Sequence, residues 1–186
     1  MEPTQNPWTT LSQEVKYDNK WITVTEHQVL NPAGGPGVYG VVSYKNLAIG
    51  VIALDDEMNT YLVGQYRFPL EAYSWEIPEG GGPFDEEPLD TAKRELLEET
   101  GLVARRWKPI LQMHLSNSVS DEIAIVFLAW DLEQHAPMPE ETEDLSIKKL
   151  PFEEAYQMVK EYKITDSISV AAIQKIRLMM LEGELG

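Results

Sequence analysis

Glu95, Glu98 and Glu99 stand at i, i+3 and i+4 in the run TAKRELLEET. On a helix that spacing stacks three carboxylates along one face. Like charges so placed repel, at a cost of a few tenths of a kcal/mol per pair, unless a cation sits among them. Hard divalent cations such as Mg²⁺ are the natural occupants, because they take oxygen ligands and keep several waters. An exposed acidic helix in an acidic protein is the other reading of the same spacing. The chain has no cysteine, which removes thiolate metal sites, disulfides and a thiol nucleophile. Its three histidines, His27, His114 and His135, are scattered and form no ligand spacing.

The elements that must position these glutamates follow from periodicity and breakers. Pro88 suits the first turn of a helix, Leu89, Ala92 and Leu96 recur on one face, and Gly101 supplies the terminating residue with positive φ. Asp85, Glu86 and Asp90 bring negative charge to the positive end of its dipole, although Glu87 is a poor N-cap. Ahead of it, WITVTEH, GVYGVVSY, AIGVIAL and TYLVGQY read as strands separated by turn residues, and SWEI is a shorter fifth. PEGGGP, at 78–83, reads as a loop that continues neither helix nor strand. After the helix, KPILQMH, DEIAIVFLAWD and LSIKKLP read as strands, and helices are expected at about 151–161 and 167–181. The order predicts an α+β fold with a mixed sheet rather than a regular βαβ alternation.

Composition bounds the rest. With 186 residues the chain is long enough to bury a core of its own. Thirty-one acidic against fifteen basic residues give a net charge of −16, which argues against a nucleic-acid duplex or an anionic membrane as partner. No apolar run reaches the length of a membrane span and no signal-like leader is visible, so a cytoplasmic location is expected.

From Gly80 the sequence GGGPFDEEPLDTAKRELLEETGL fits G-x5-E-x7-R-E-U-x-E-E-x-G-U at every position, U being a bulky aliphatic. Gly80, Glu86, Arg94, Glu95, Leu96, Glu98, Glu99, Gly101 and Leu102 occupy the specified places. The chance of such a pattern in this composition is on the order of one in a million. This resembles the signature of the Nudix hydrolases. The resemblance implies an α/β/α sandwich with a mixed sheet, and hydrolysis of a pyrophosphate bond with two or three Mg²⁺ or Mn²⁺ ions. It also implies Glu95, Glu98 and Glu99 as metal ligands, with the backbone carbonyl of Glu79 completing a coordination shell. Arg94 is implied as the residue that orients a ligand carboxylate, and Glu86 as a further acidic position.

Upstream, LVGQYRFPLEAYSWEIPEG is similar to the corresponding run of the ADP-ribose and nucleoside diphosphate sugar pyrophosphatases. That subgroup implies a substrate-binding role for Arg67 and Glu76, a base-stacking role for Tyr39, and a phosphate- or ribose-contacting loop at 114–122 with Ser118, Ser120 and Glu122. It further implies a small N-terminal β appendage at residues 1–44 that builds a homodimer, followed by a hydrolase domain at 45–186. By the same resemblance, which places a catalytic Glu in the acidic loop 139–144, Glu141 is the first choice for general base and Glu143 the second. The expected reaction is ADP-ribose to AMP and ribose 5-phosphate, with a small-molecule substrate and no nucleic-acid or membrane partner. A GDP-mannose-type, other nucleotide-sugar or dinucleotide pyrophosphatase is the alternative enzyme. A non-catalytic Nudix ligand-sensing module is the alternative of another class.

Overall fold

The first part of the chain forms three strands, β1 (Thr9–Asp18), β2 (Ile22–Leu30) and β3 (Pro36–Tyr44), of which β2 carries the alternation of polar and apolar residues. The structure is a computed structural model describing residues 5–136 and 145–185. It divides into two compact units, residues 1–46 with 116–122, and residues 47–115 with 123–186.

In the first unit β2 is the centre of an antiparallel sheet with the order β1-β2-β3. β1 falls within the β appendage expected at 1–44, although TTLSQEVKYD carries only scattered apolar residues and no strand period of its own. Pairing to β2, with two register shifts, makes it a strand, and all ten of its residues are exposed. Residues 116–122 fold onto β3. The Val42 N–H donates to the Val119 carbonyl at 2.8 Å, the Tyr44 N–H donates to Asp121 Oδ1 at 2.9 Å, and the Tyr39 hydroxyl donates to the Ser118 carbonyl at 2.7 Å.

The second unit is built on β4 (Asn46–Ala53), β5 (Asn59–Arg67), β6 (Ala72–Glu76), β7 (Glu79–Pro83), β8 (Leu102–His114), β9 (Ile123–Gln134) and β10 (Ser146–Pro151). A mixed sheet runs β7-β4-β9-β8, with β4 parallel to β9 and β8 antiparallel to it. A second, antiparallel sheet runs β10-β5-β6. The helices are α1 (Pro88–Thr100), α2 (Phe152–Lys160) and α3 (Ser167–Glu182).

The continuous apolar run of β4 is explained by burial on both faces. Ile49, Val51 and Ala53 pack with Phe127 and Ala129 of β9 and with Ala92 and Leu96 of α1. Ile52 joins Val126 and Leu128 of β9 against Ala155 of α2 and Ile168, Ala172, Ile173 and Ile176 of α3. This is the expected α/β/α sandwich. Among the described residues no helix is long and apolar enough to cross a membrane.

PEGGGP is not a plain loop. Residues 79–83 form β7, an edge strand beside β4. An edge position tolerates the terminal Pro83, and the glycines answer a packing demand. A Cβ on Gly82 would stand 2.9 Å from the hydroxyl oxygen of Thr91, so the missing side chains let α1 lie close over the strand.

Asp55 organises the turn from β4 to β5. Its Oδ1 accepts from the amides of Glu57 at 3.0 Å and Asn59 at 2.8 Å, and Lys149 of β10 reaches its Oδ2 at 2.7 Å. Burial alone would raise its pKa, but Lys149 and the Asn59 hydrogen bonds outweigh burial and lower it from 3.8 to about 2. A depressed folded-state pKa contributes stability above the unfolded value, lost as pH falls through the folded one. Asp55→Asn should therefore cost about 1–2 kcal/mol at neutral pH, discounted because Lys149 is half exposed, and much less near the folded pKa. Urea titrations of both proteins at neutral and acid pH check this; a cost that does not change with pH would refute it.

Candidate active site

A 13-residue helix, α1, presents the signature. It starts at Pro88 without a side-chain cap and stops at Gly101, whose φ of 72° is the left-handed conformation that glycine adopts at least cost. Leu96 and, beyond the stop, Leu102 are buried in the core, and the part of the same buried side that adjoins them faces β7. Glu95 and Glu99 lie on that side and are also buried, 7% and 2% exposed, so they are no part of a solvated acidic face.

Gly80 touches this side directly. A Cβ there would meet the Glu95 carboxyl carbon at 2.1 Å and its oxygens at 2.2 and 2.3 Å. The next contact is made by Glu79, whose N–H donates to Glu99 Oε2 at 3.0 Å. The backbone at 79–80 is thus held against the carboxylates of both Glu95 and Glu99.

Arg94 closes the outer side. Its Nη1 donates to Glu95 Oε1 at 2.8 Å and to Glu98 Oε2 at 3.0 Å, and its Nη2 donates to the Gly81 carbonyl at 3.2 Å. Partial burial works against its charge, but the two glutamates outweigh burial and raise its pKa. Glu86 accepts from the Thr91 hydroxyl at 2.9 Å and lies 3.8 Å from Arg94 Nη2, a buckle across the start of α1.

Arg67 at the end of β5 and Glu76 at the end of β6 meet across their hairpin. Arg67 Nε donates to Glu76 Oε1 at 2.9 Å and Oε2 at 3.1 Å, and Nη2 donates both to Glu76 Oε2 and, at 3.0 Å, to Glu79 Oε1. The Glu76 side chain is 3% exposed and that of Arg67 is 35% exposed, so the pair is anchored at its acidic end and accessible at its basic one. Burial would lower the Arg67 pKa, but Glu76, Glu79 and Asp166 raise it. Burial pushes the Glu79 carboxyl well above its ordinary pKa, with Asp166, Glu76 and Glu99 adding to the rise against the pull of Arg67.

Asp166 and Ser169 belong to the same region and were not singled out from the sequence. Asp166 caps α3 by accepting from the Ser169 N–H at 2.7 Å, and the Ser169 hydroxyl accepts from the Ile77 N–H at 2.9 Å. The D-x-x-S pattern at a helix start is a visible capping signal. Its proximity to Glu79 is not visible locally, since nearly ninety positions separate them.

Other residues singled out from the sequence fall elsewhere. Tyr39 and Glu122 belong to the first unit. The Tyr39 ring packs edge-on to Trp8 at 5.4 Å, and Glu122 accepts from Tyr44, whose hydroxyl pKa is raised by burial and by that carboxylate. Ser118 and Ser120 lie in the segment folded on β3. Glu141 and Glu143 lie outside the described residues.

The donors gathered at β7 and α1, carboxylates and a backbone carbonyl, are the hard oxygens that Mg²⁺ or Mn²⁺ takes. Among the described residues no three acidic or histidine side chains converge as a ready-made metal cage. Arg94 is the counter-charge of Glu95 and Glu98, and Glu99 accepts the Glu79 amide. The residues fit a cation in composition, and Arg94 marks where positive charge is wanted.

Comparison with known proteins agrees with this arrangement. The family described as NUDIX domain matches residues 44–169, and the nucleoside diphosphate sugar hydrolase N-terminal domain matches residues 8–42. An ADP-ribose pyrophosphatase of Bacillus subtilis is 33% identical over 171 residues, 91% of this chain and 92% of its own. A methanol dehydrogenase activator of Bacillus methanolicus is 32% identical over the same shares of both chains. A solved structure described as an ADP compounds hydrolase superposes with a TM-score of 0.86 over 98% of each chain at 20% identity, which shows a common fold. With the whole signature in place around α1 and relatives of this identity along nine-tenths of its length, the chain belongs to the Nudix hydrolase family and is similar to ADP-ribose pyrophosphatases.

Proposed function

We propose that this Nudix hydrolase cleaves the pyrophosphate of ADP-ribose, giving AMP and ribose 5-phosphate, with Mg²⁺ or Mn²⁺. The observation that carries the reading is the Arg67–Glu76–Glu79 cluster set directly against the α1 glutamates, a fixed and partly accessible guanidinium beside an acidic wall. Nudix hydrolases generally use divalent metals. Here Glu95, Glu98, Glu99 and the Glu79 carbonyl would hold them. When bound, such ions offset the charge of a diphosphate and acidify water. Arg67, oriented bidentately by Glu76, offers the accessible part of its guanidinium to an anionic oxygen. Arg94 keeps Glu95 and Glu98 oriented toward β7. Glu141 first, or Glu143, is the reading for the general base.

The N-terminal residues 1–44 are read as a dimerising appendage of the 45–186 domain, with Tyr39 and Glu122 contributing to the substrate pocket. Exposed Leu11, Val15 and Tyr17 on β1, and Val38 on β3, support a second copy as the covering partner. A nucleotide sugar other than ADP-ribose is the second reading, favoured by the N-terminal match to the nucleoside diphosphate sugar hydrolases.

A Mg²⁺/Mn²⁺ screen of ADP-ribose, GDP-mannose, other nucleotide sugars, dinucleoside polyphosphates and NADH, ranked by kcat/KM, decides between them. ADP-ribose is expected to rank first. A GDP-mannose lead would install the second reading, and binding without turnover of any diphosphate would mean a sensing module. In the same assay Glu141→Gln is expected to lower kcat; if neither it nor Glu143→Gln does, the loop base is wrong.

A further inference from the structure

Glu79 enters the proposed site through its backbone, yet its side chain is the least satisfied polar group in the cluster. Its Oε2 is buried and has no hydrogen-bond partner among the described residues. Its Oε1 takes a single bond, from Arg67 at 3.0 Å, and the side chain as a whole is 12% exposed. A buried carboxylate oxygen left unpaired is costly and needs a cause.

The neighbours sharpen the question. Glu76, Glu99 and Asp166 all act on Glu79 with negative charge, and Arg67 is the opposing guanidinium acting on it. Glu76 is clasped by Arg67, and Asp166 caps α3. Glu79 thus has three negative neighbours against one guanidinium, which it shares with Glu76. Glu79 and Glu99 are already joined, because the Glu79 N–H donates to Glu99 Oε2 at 3.0 Å. A substrate hydroxyl donated to Oε2 would satisfy one lone pair and leave the charge excess in place. A divalent cation answers both the orphan oxygen and the excess.

We propose that the Glu79 carboxylate is itself a ligand arm of the divalent-cation site, working alongside Glu99 and in addition to the carbonyl that precedes Gly80. Arg67 then ties that arm to Glu76, so that cation binding and the orientation of Arg67 are linked through one side chain. The inference rests on the cation-dependent reading of the site and on nothing about which diphosphate is cleaved.

The test uses Mn²⁺ and the full-length protein without substrate. Glu79→Gln keeps the backbone carbonyl, the side-chain size and an acceptor for Arg67, and removes the charge. Mn²⁺ affinity, by calorimetry or by the free-ion signal in electron paramagnetic resonance, is expected to weaken about 10-fold or more, the scale of losing a supporting group at a metal. Metal-free, the variant should melt at or above the wild-type temperature, since a buried charge that only shares the Arg67 guanidinium is gone; with saturating Mn²⁺ its gain in Tm should be smaller than that of wild type. Glu79→Ala, which also retains the carbonyl, should reproduce the weakened Mn²⁺ binding. Unchanged Mn²⁺ affinity in a folded Glu79→Gln protein would overturn the proposal. Unchanged affinity with a lower metal-free Tm would assign Glu79 to bracing Arg67, and unchanged affinity with a raised substrate KM would assign it to the substrate. Wild type that binds no Mn²⁺ would overturn the cation reading itself, whereas wild type that binds Mn²⁺ and hydrolyses no diphosphate would overturn only the proposed reaction.

Discussion

Glu99→Gln is expected to lower kcat by at least about 100-fold while leaving the fold intact, the range in which removal of one charged or acid–base group at a reacting centre falls. Glu99 is 2% exposed on α1 and accepts the Glu79 amide, so it links the signature helix to the strand that carries the rest of the site. Glutamine has the same shape and retains an oxygen acceptor for that amide, so Tm should stay within a few degrees. What it lacks is the negative charge for a cation. Steady-state kinetics on the best substrate, with a thermal melt of the same preparation, read both quantities. A kcat within a few-fold of wild type would remove Glu99 from the site, and a collapsed melt would make it a structural residue.

Arg67→Met should produce the largest loss of stability. The guanidinium is the shared partner of Glu76, 3% exposed, and Glu79, 12% exposed. Its removal strands two carboxylates beside Glu99 and Asp166. Breaking a buried pair by deleting one member costs about 3 kcal/mol or more, because the remaining charge keeps its desolvation penalty. For a chain of this size that corresponds to a drop in Tm of about 6–12 °C. Activity should fall as well, since Arg67 is the accessible cation of the cluster. The double variant Arg67→Met/Glu76→Gln separates the two effects: stability should be partly recovered and activity should not. A single variant as stable as wild type would show that the ion pair contributes nothing to the fold, and full activity in either variant would take Arg67 out of substrate binding.

Much of the site was legible before any coordinates. The spacing of Glu95, Glu98 and Glu99, the Pro88 start and the Gly101 stop are features of a single helix, whose geometry depends on residues three and four apart. The motif from Gly80 to Leu102 names this segment, and the apolar patterning of β2 to β5 and β9, alternating or continuous, is a local signal of the same kind. The order of elements was enough for an α+β sandwich. One local reading, the loop at 78–83, was overturned, and one strand carried no local signal, for the same reason. β1 and β7 are strands because of the strands they pair with, and neither TTLSQEVKYD nor PEGGGP carries a pattern that demands it.

By itself, then, the amino-acid sequence determined the helix and the carboxylates it sets three and four positions apart, because each rests on contacts within a few positions along the chain. The tertiary structure alone decided that Glu95 and Glu99 are buried against β7, that Arg67 clasps Glu76 and reaches Glu79, and that Asp166 from the start of α3 adds its charge. Those groups come from β5, β6, β7, α1 and the cap of α3, and only the packing of helices on both faces of the sheet brings them together. Burial makes their charges interact strongly, and burial is a property of the folded chain rather than of any segment of it.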